Sequence, residues 1–163
     1  MHRPSFMALL AGAATLAAVA CSDDSTGPSQ PTVFVATMTG ANERPTVTTS
    51  ATGNATFTID VAAGTIIYSV TVNNIVDVIA SHIHAGRVDV SGPVVVNLLP
   101  ATPAPGTING SLVTGTLTAS SIGTGVPISF ASLVSLIRNG DAYINVHTQT
   151  NTGGEIRGQL VPQ

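Results

Sequence analysis

ATFTIDVAAGTIIYSVTV spans Ala55 to Val72 and decides the fold. Ala55, Phe57, Ile59 and Val61 alternate with Thr56, Thr58 and Asp60. After Ala62-Ala63-Gly64 the alternation resumes, with Ile66, Tyr68, Val70 and Val72 set against Ile67, Ser69 and Thr71. A period of two puts one set of side chains on a buried face and the other toward solvent. Two such runs joined by a short loop containing Gly read as a β-hairpin. The apolar set of that hairpin, with Ile144 and Val146 further on, is the expected core.

Similar short runs lie on both sides. Strands are expected at Val33 to Thr39, Ile79 to His84, Pro93 to Leu99, Ser111 to Thr118, Ala142 to Thr148 and Glu155 to Leu160. Pro100 to Gly106 reads PATPAPG, and its three prolines exclude a central strand, so a loop is expected there. Only Ala131 to Asn139 has helical spacing, through Leu133, Leu136 and Ile137. Ser129 or Ser132 is a candidate cap at its start, and Asn139-Gly140 a stop at its end. Roughly eight strands and one short helix predict an all-β domain, a β-sandwich of the immunoglobulin-like or superoxide-dismutase-like kind.

The N-terminal residues have a different character. Met1-His2-Arg3 is a short basic start, and Phe6 to Ala20 is an apolar run too short to span a bilayer comfortably. It ends in Ala18-Val19-Ala20-Cys21. This pattern resembles a bacterial lipoprotein signal, in which the cysteine becomes the lipidated first residue. The commonest such signal has Leu where this chain has Ala18. Cys21 is the only cysteine of the chain, so it has no internal disulfide partner. The reading is a signal peptide over 1–20, a flexible Ser- and Pro-rich tether over 21–31 (CSDDSTGPSQP), and a domain over 32–163. It places the protein at the bacterial cell envelope, held to a membrane by its lipid, with an envelope or extracellular protein as its expected partner.

Charge narrows the function further. From Cys21 onward four arginines stand against eight acids, and the chain has no lysine. No basic patch is available to neutralise phosphates, so nucleic-acid binding is excluded. No Gly-x-Ser-x-Gly elbow, Gly-rich phosphate loop or suggestive carboxylate pair occurs, and a non-catalytic module is expected.

Five motifs follow one another: Asn42-Glu43-Arg44-Pro45; Ser81-His82-Ile83-His84-Ala85-Gly86 before Gly92-Pro93-Val94-Val95-Val96; GSLVTGTLTA from Gly110; Gly140-Asp141-Ala142-Tyr143-Ile144-Asn145-Val146-His147-Thr148; and Gly154-Glu155-Ile156-Arg157-Gly158-Gln159-Leu160. In this order they resemble the CHRD domain, named from repeats in the secreted developmental protein chordin and common in bacterial exported proteins. The resemblance covers about residues 32 to 161 as a single copy. The family usually has Glu-Val-Pro where this chain has Glu43-Arg44-Pro45. In chordin the repeats belong to a protein that binds growth factors, a role that does not transfer to an isolated bacterial copy.

Three histidines remain beyond the signal, and all lie in those motifs. His82 and His84 are two apart on one strand and project together. On the Ala142 to Thr148 strand, Tyr143, Asn145 and His147 share the face opposite Ala142, Ile144 and Val146. Such a pair with a third histidine from another strand is a candidate site for copper or zinc, which imidazole suits. Asp89 is a possible fourth ligand. The His-Ile-His spacing is similar to the copper-ligand pair of copper/zinc superoxide dismutases. The chain lacks their cysteine pair and their full ligand set, so it is not read as a dismutase. The alternative is structural, with the histidines bonding backbone carbonyls at an end of the sandwich. Glu155 and Arg157 share a face of the last strand, and Glu43, Glu155 and Arg157 are the candidates for a structural ion pair.

Overall fold

The expected hairpin forms in the computed structural model, which describes residues 30, 32–99, 104–122 and 127–163. Strands β2 (Thr52–Asp60) and β3 (Thr65–Ala85) pair antiparallel from Asp60↔Thr65 out to Thr52↔Asn73. Gly64, at φ 66°, takes the left-handed position of the connecting turn, and the Asp60 carboxylate accepts from Ala63 N–H. Phe57, Ile59, Ile66, Tyr68, Val70, Val72, Ile144 and Val146 are all buried. The Phe57 and Tyr68 rings stack with centroids 5.9 Å apart. Strand β1 (Val33–Thr39) pairs along β2 and adds Phe34, Ala36 and Met38 to the same core.

The remaining elements are β4 (Val94–Leu99), β5 (Ala104–Leu117), helix α1 (Phe130–Arg138), β6 (Ala142–Thr148), β7 (Ile156–Gln159) and β8 (Val161–Pro162). Ser129 caps α1, its hydroxyl accepting from Ser132 N–H. Gly140, at φ 71°, ends it, and Leu133, Val134 and Ile137 face the core.

The domain is all-β with one short helix, as expected, but the strands are not divided between two stacked sheets. The Ile79 to His84 segment is the far half of β3, which runs 21 residues without ending. It bends where Asn74 and Asp77 take positive φ (55° and 52°), and the ladder to β5 shifts register there. Asn and Asp tolerate that conformation better than most residues. Both bends are tied to β5: Asn74 N–H donates to the Asn109 side chain, and the Asp77 carboxylate accepts from Gly106 N–H. The first half of β3 therefore pairs with β2 and β5, and the second with β6 and β4. The order β2-β1-β7-β6-β3 returns to β2, and the sheet closes on itself like a barrel. Ala104 to Gly106, expected in a loop, join β5. Pro105 is tolerated because, among the described residues, β5 pairs only with β3 and its other edge needs no N–H.

Strand β6 lies between β3 and β7 and is buried at all seven positions. Ala142, Ile144 and Val146 pack into the core. The opposite face, carrying Tyr143, Asn145 and His147, is covered as well, and that cover creates the site.

Candidate metal centre

Strand register brings the three histidines together. On the β3–β6 ladder His82 faces Asn145, His84 faces Tyr143, and His147 faces Ala80, one diagonal step from His82. One ring nitrogen from each of His82, His84 and His147 lies within 4.8 Å of the others. A tetrahedral ion with bonds of about 2 Å spaces its ligand nitrogens by roughly 3.3 Å, so the wider separations in the cluster must shorten to hold one. Asp89 is exposed and is not part of the cluster.

Two of the rings are fixed by backbone carbonyls. His84 Nδ1 lies 2.9 Å from Gly92 O, and His147 Nδ1 lies 2.9 Å from Thr152 O. A carbonyl only accepts, so each Nδ1 carries the proton and each Nε2 presents a lone pair. His84 Nε2 is buried; no hydrogen bond of good geometry reaches it, and the Asn145 side chain is its polar neighbour. His147 Nε2 is 3.0 Å from His82 Nδ1, which therefore donates to it. His82 is half-buried, whereas His84 and His147 are 8% and 7% exposed. A carbonyl holding the far nitrogen of an imidazole is the arrangement that orients metal-bound histidines. The structural alternative foresaw these carbonyl bonds; they occupy the Nδ1 atoms of His84 and His147, and a metal would displace the His82–His147 bond to reach His147 Nε2.

Burial keeps the rings neutral. It pushes His82 down to about 4, with further lowering from His147 and His84. It also lowers His84 and His147, against the raising effect of their carbonyl bonds. A neutral imidazole is the form that ligates.

Behind His84 the site is built as a stack. Tyr143 lies parallel to the His84 ring at 4.7 Å, and the Arg157 guanidinium sits 3.4 Å above the Tyr143 centroid. Arg157 is 1% exposed and donates to the carbonyls of Arg87 (2.7 Å) and Val90 (2.9 Å). Tyr143 OH accepts from Gly92 N–H, and Gln159 donates to Gly86 O. These bonds fold the 86–92 segment over the outer face of β6.

The expected ion pair of Glu43, Glu155 and Arg157 does not form. Among the described residues the ion pair is Arg87–Asp141, at 2.9 Å. Arg157 spends its donors on carbonyls instead. Burial opposes ionisation of Glu155, but hydrogen bonds from Thr148, Thr49 and Asn151 outweigh it and hold the carboxyl below its usual range. Burial pushes Glu43 up to about 7, only partly offset by Arg157, the Arg44 backbone and Asn145. Its Oε1 sits over Gly154, where an added Cβ would lie 2.3 Å away.

The CHRD domain signature matches residues 34–160, most of the chain. The chain belongs to the CHRD domain family. No curated protein and no solved structure matches it. In this CHRD domain the motif histidines, Tyr143 and Arg157 form one connected cluster, while Glu43 and Glu155 occupy polar pockets of their own. Sequence reasoning missed the carbonyls of Gly92 and Thr152, which are backbone groups of loops and leave no residue signature. It also missed the buried environment of Glu43, whose only trace is its place in the Asn-Glu-Arg-Pro motif. Cys21, with the expected signal and nearly all of the tether, lies outside the described residues.

Proposed function

We propose that this CHRD domain is a non-catalytic metal-binding module of the bacterial envelope, holding copper or zinc through His82, His84 and His147. The observation that carries the reading is the convergence of the three histidines, one ring nitrogen of each lying within 4.8 Å of the others. Carbonyls of Gly92 and Thr152 hold the Nδ1 atoms of His84 and His147, which leaves the Nε2 atoms as the ligand nitrogens of both rings. In this reading Cys21 is lipidated, and the tether keeps the domain near the membrane.

Tag-free protein dialysed against Zn²⁺ or Cu²⁺ is expected to retain one ion per chain. A ligand at 100 times its Kd stabilises by about 2.7 kcal/mol. For a domain of this size that raises Tm by roughly 6–10 °C. His147→Ala is expected to lose both effects. Unchanged melting and no retained metal in the wild type contradict the proposal. For the anchor, Cys21→Ala is expected to move the protein from the membrane to the soluble exported fraction. A wild type already soluble there contradicts it.

A further inference from the structure

We propose that the three-histidine site selects copper in the cuprous state, and that the buried charge of Arg157 behind Tyr143 sets that preference. The inference rests on the metal-binding reading above and specifies its cargo. Its basis is the charge arrangement around the ligands.

The ligand cluster contains three imidazoles and no carboxylate or thiolate. Nothing in it neutralises an incoming cation. A dication therefore brings two uncompensated charges into a site where two ligands are more than nine-tenths buried, and a monocation brings one. Three-histidine zinc centres complete their shell with a water or hydroxide at an open fourth position. Here His84 and His147 are enclosed, and only His82 is half-open to solvent. Cuprous ion needs no fourth, anionic ligand, and soft or borderline nitrogen donors suit it.

The second observation is the stack. Arg157 is fully buried, remains charged, and among the described residues makes no ion pair within 4 Å, its two close bonds running to neutral carbonyls. It lies 3.4 Å over Tyr143, which lies 4.7 Å over the ligand His84. A fixed positive charge at that position repels a dication twice as strongly as a monocation. Glu43 faces Arg157 from inside the protein and Asp89 faces it from the 86–92 segment, and Asn145 stands between Glu43 and His84. Glu155 is committed to Thr49, Thr148 and Asn151. None of these carboxylates enters the ligand set. Both features act in one direction and raise the potential of bound copper.

The test uses the domain loaded with one equivalent of copper. Cu(I) affinity is measured anaerobically by competition with bicinchoninate, Cu(II) affinity by competition with a chelating amino acid, and the midpoint potential by redox titration. Cu(I) is expected to bind at least tenfold tighter than Cu(II), which places the midpoint at least about 59 mV above the aqueous couple. Arg157→Met is expected to lower that potential, and Tyr143→Phe, which keeps the stack, to leave it nearly unchanged. A wild-type midpoint at or below the aqueous couple, with copper or zinc still bound, overturns the cuprous preference and leaves the metal site standing. A folded Arg157→Met with the wild-type potential overturns the role of Arg157. Should Arg157→Met fail to fold, the wild-type ratio of affinities still decides the preference. No binding of Cu(I), Cu(II) or Zn²⁺ removes the site itself.

Discussion

The two halves of β3 have one backbone and two kinds of surroundings. From Thr65 to Val72, Ile66, Tyr68, Val70 and Val72 are buried while Ile67 is 58% exposed. From Ser81 to Ala85 no residue is exposed, and Ser81, Ile83 and His84 are all buried. In the first half the outer face meets water, so its polar side chains need no partner. In the second half the 86–92 segment covers the outer face, and each polar group there must find a partner or bear the cost of burial. Where a covered face retains groups that no hydrogen bond of good geometry reaches, such as His84 Nε2, function becomes the reason to look.

The first way to sharpen this comparison is to damage the apolar half. Phe57 is fully buried against Tyr68. Phe57→Ala is expected to cost about 3–5 kcal/mol in urea unfolding. Metal affinity of the folded fraction is expected to stay unchanged, since Phe57 touches none of the three histidines. A loss near 1 kcal/mol would mean that the hairpin core is looser than its packing implies.

Damage to the polar half is expected to act more gently on stability and more strongly on binding. Gly154 has φ 130°, and an added Cβ would strike Glu43 Oε1. Gly154→Ala is expected to destabilise by roughly 1–3 kcal/mol. His147→Ala loses the bond to Thr152 O, worth about 1 kcal/mol in the metal-free protein. The same variant is expected to abolish the metal-induced rise in Tm. Equal melting shifts in wild type and His147→Ala would break the proposed link between the covered face and the metal.

Acidification separates the halves without mutation. The folded-state value of His82 lies near 4 against an ordinary 6.5, and those of His84 and His147 are also lowered. Between these values the unfolded chain binds more protons than the folded one, so this contribution to stability falls as pH falls from about 6.5 toward 4. Glu43 has the opposite sign. Raised from 4.5 to about 7, it contributes most below pH 4.5, and its contribution is lost as pH rises through 7. Three histidines against one glutamate predict a net decline on acidification, and Glu43→Gln should make that decline steeper. Urea midpoints of metal-free protein measured across this window provide the check, and a flat profile contradicts the neutral, buried rings. The smallest effect belongs to the exposed position of the apolar half, where Ile67→Thr should change stability by no more than about 0.5 kcal/mol.

The same contrast explains what the sequence made legible. Alternation identified the buried set of β2 and β3, the inward residues of β6 and the shared face of His82 and His84, because a period of two is local. The spacing of Leu133, Leu136 and Ile137 located α1 to within one residue. The closure of the sheet was hidden in Asn74 and Asp77, where polar residues that usually mark a turn bend a strand without ending it. Glu155 and Arg157 were expected on one face of the last strand, but Glu155 precedes β7 and its partners come from segments up to 106 residues away. Which carbonyl or hydroxyl reaches a buried charge depends on loop paths that no local pattern encodes. The three-histidine cluster stood between these cases: its residues were visible, but its fixed nitrogens were not.

The most direct test of the central claim is X-ray absorption at the metal edge of the domain loaded with one equivalent of copper or zinc. The account predicts three nitrogen scatterers at about 2.0 Å with the multiple scattering of imidazole rings. It also predicts loss of that signature in His84→Ala and His147→Ala. A shell dominated by water or carboxylate oxygen, or an unchanged spectrum in both variants, would contradict it.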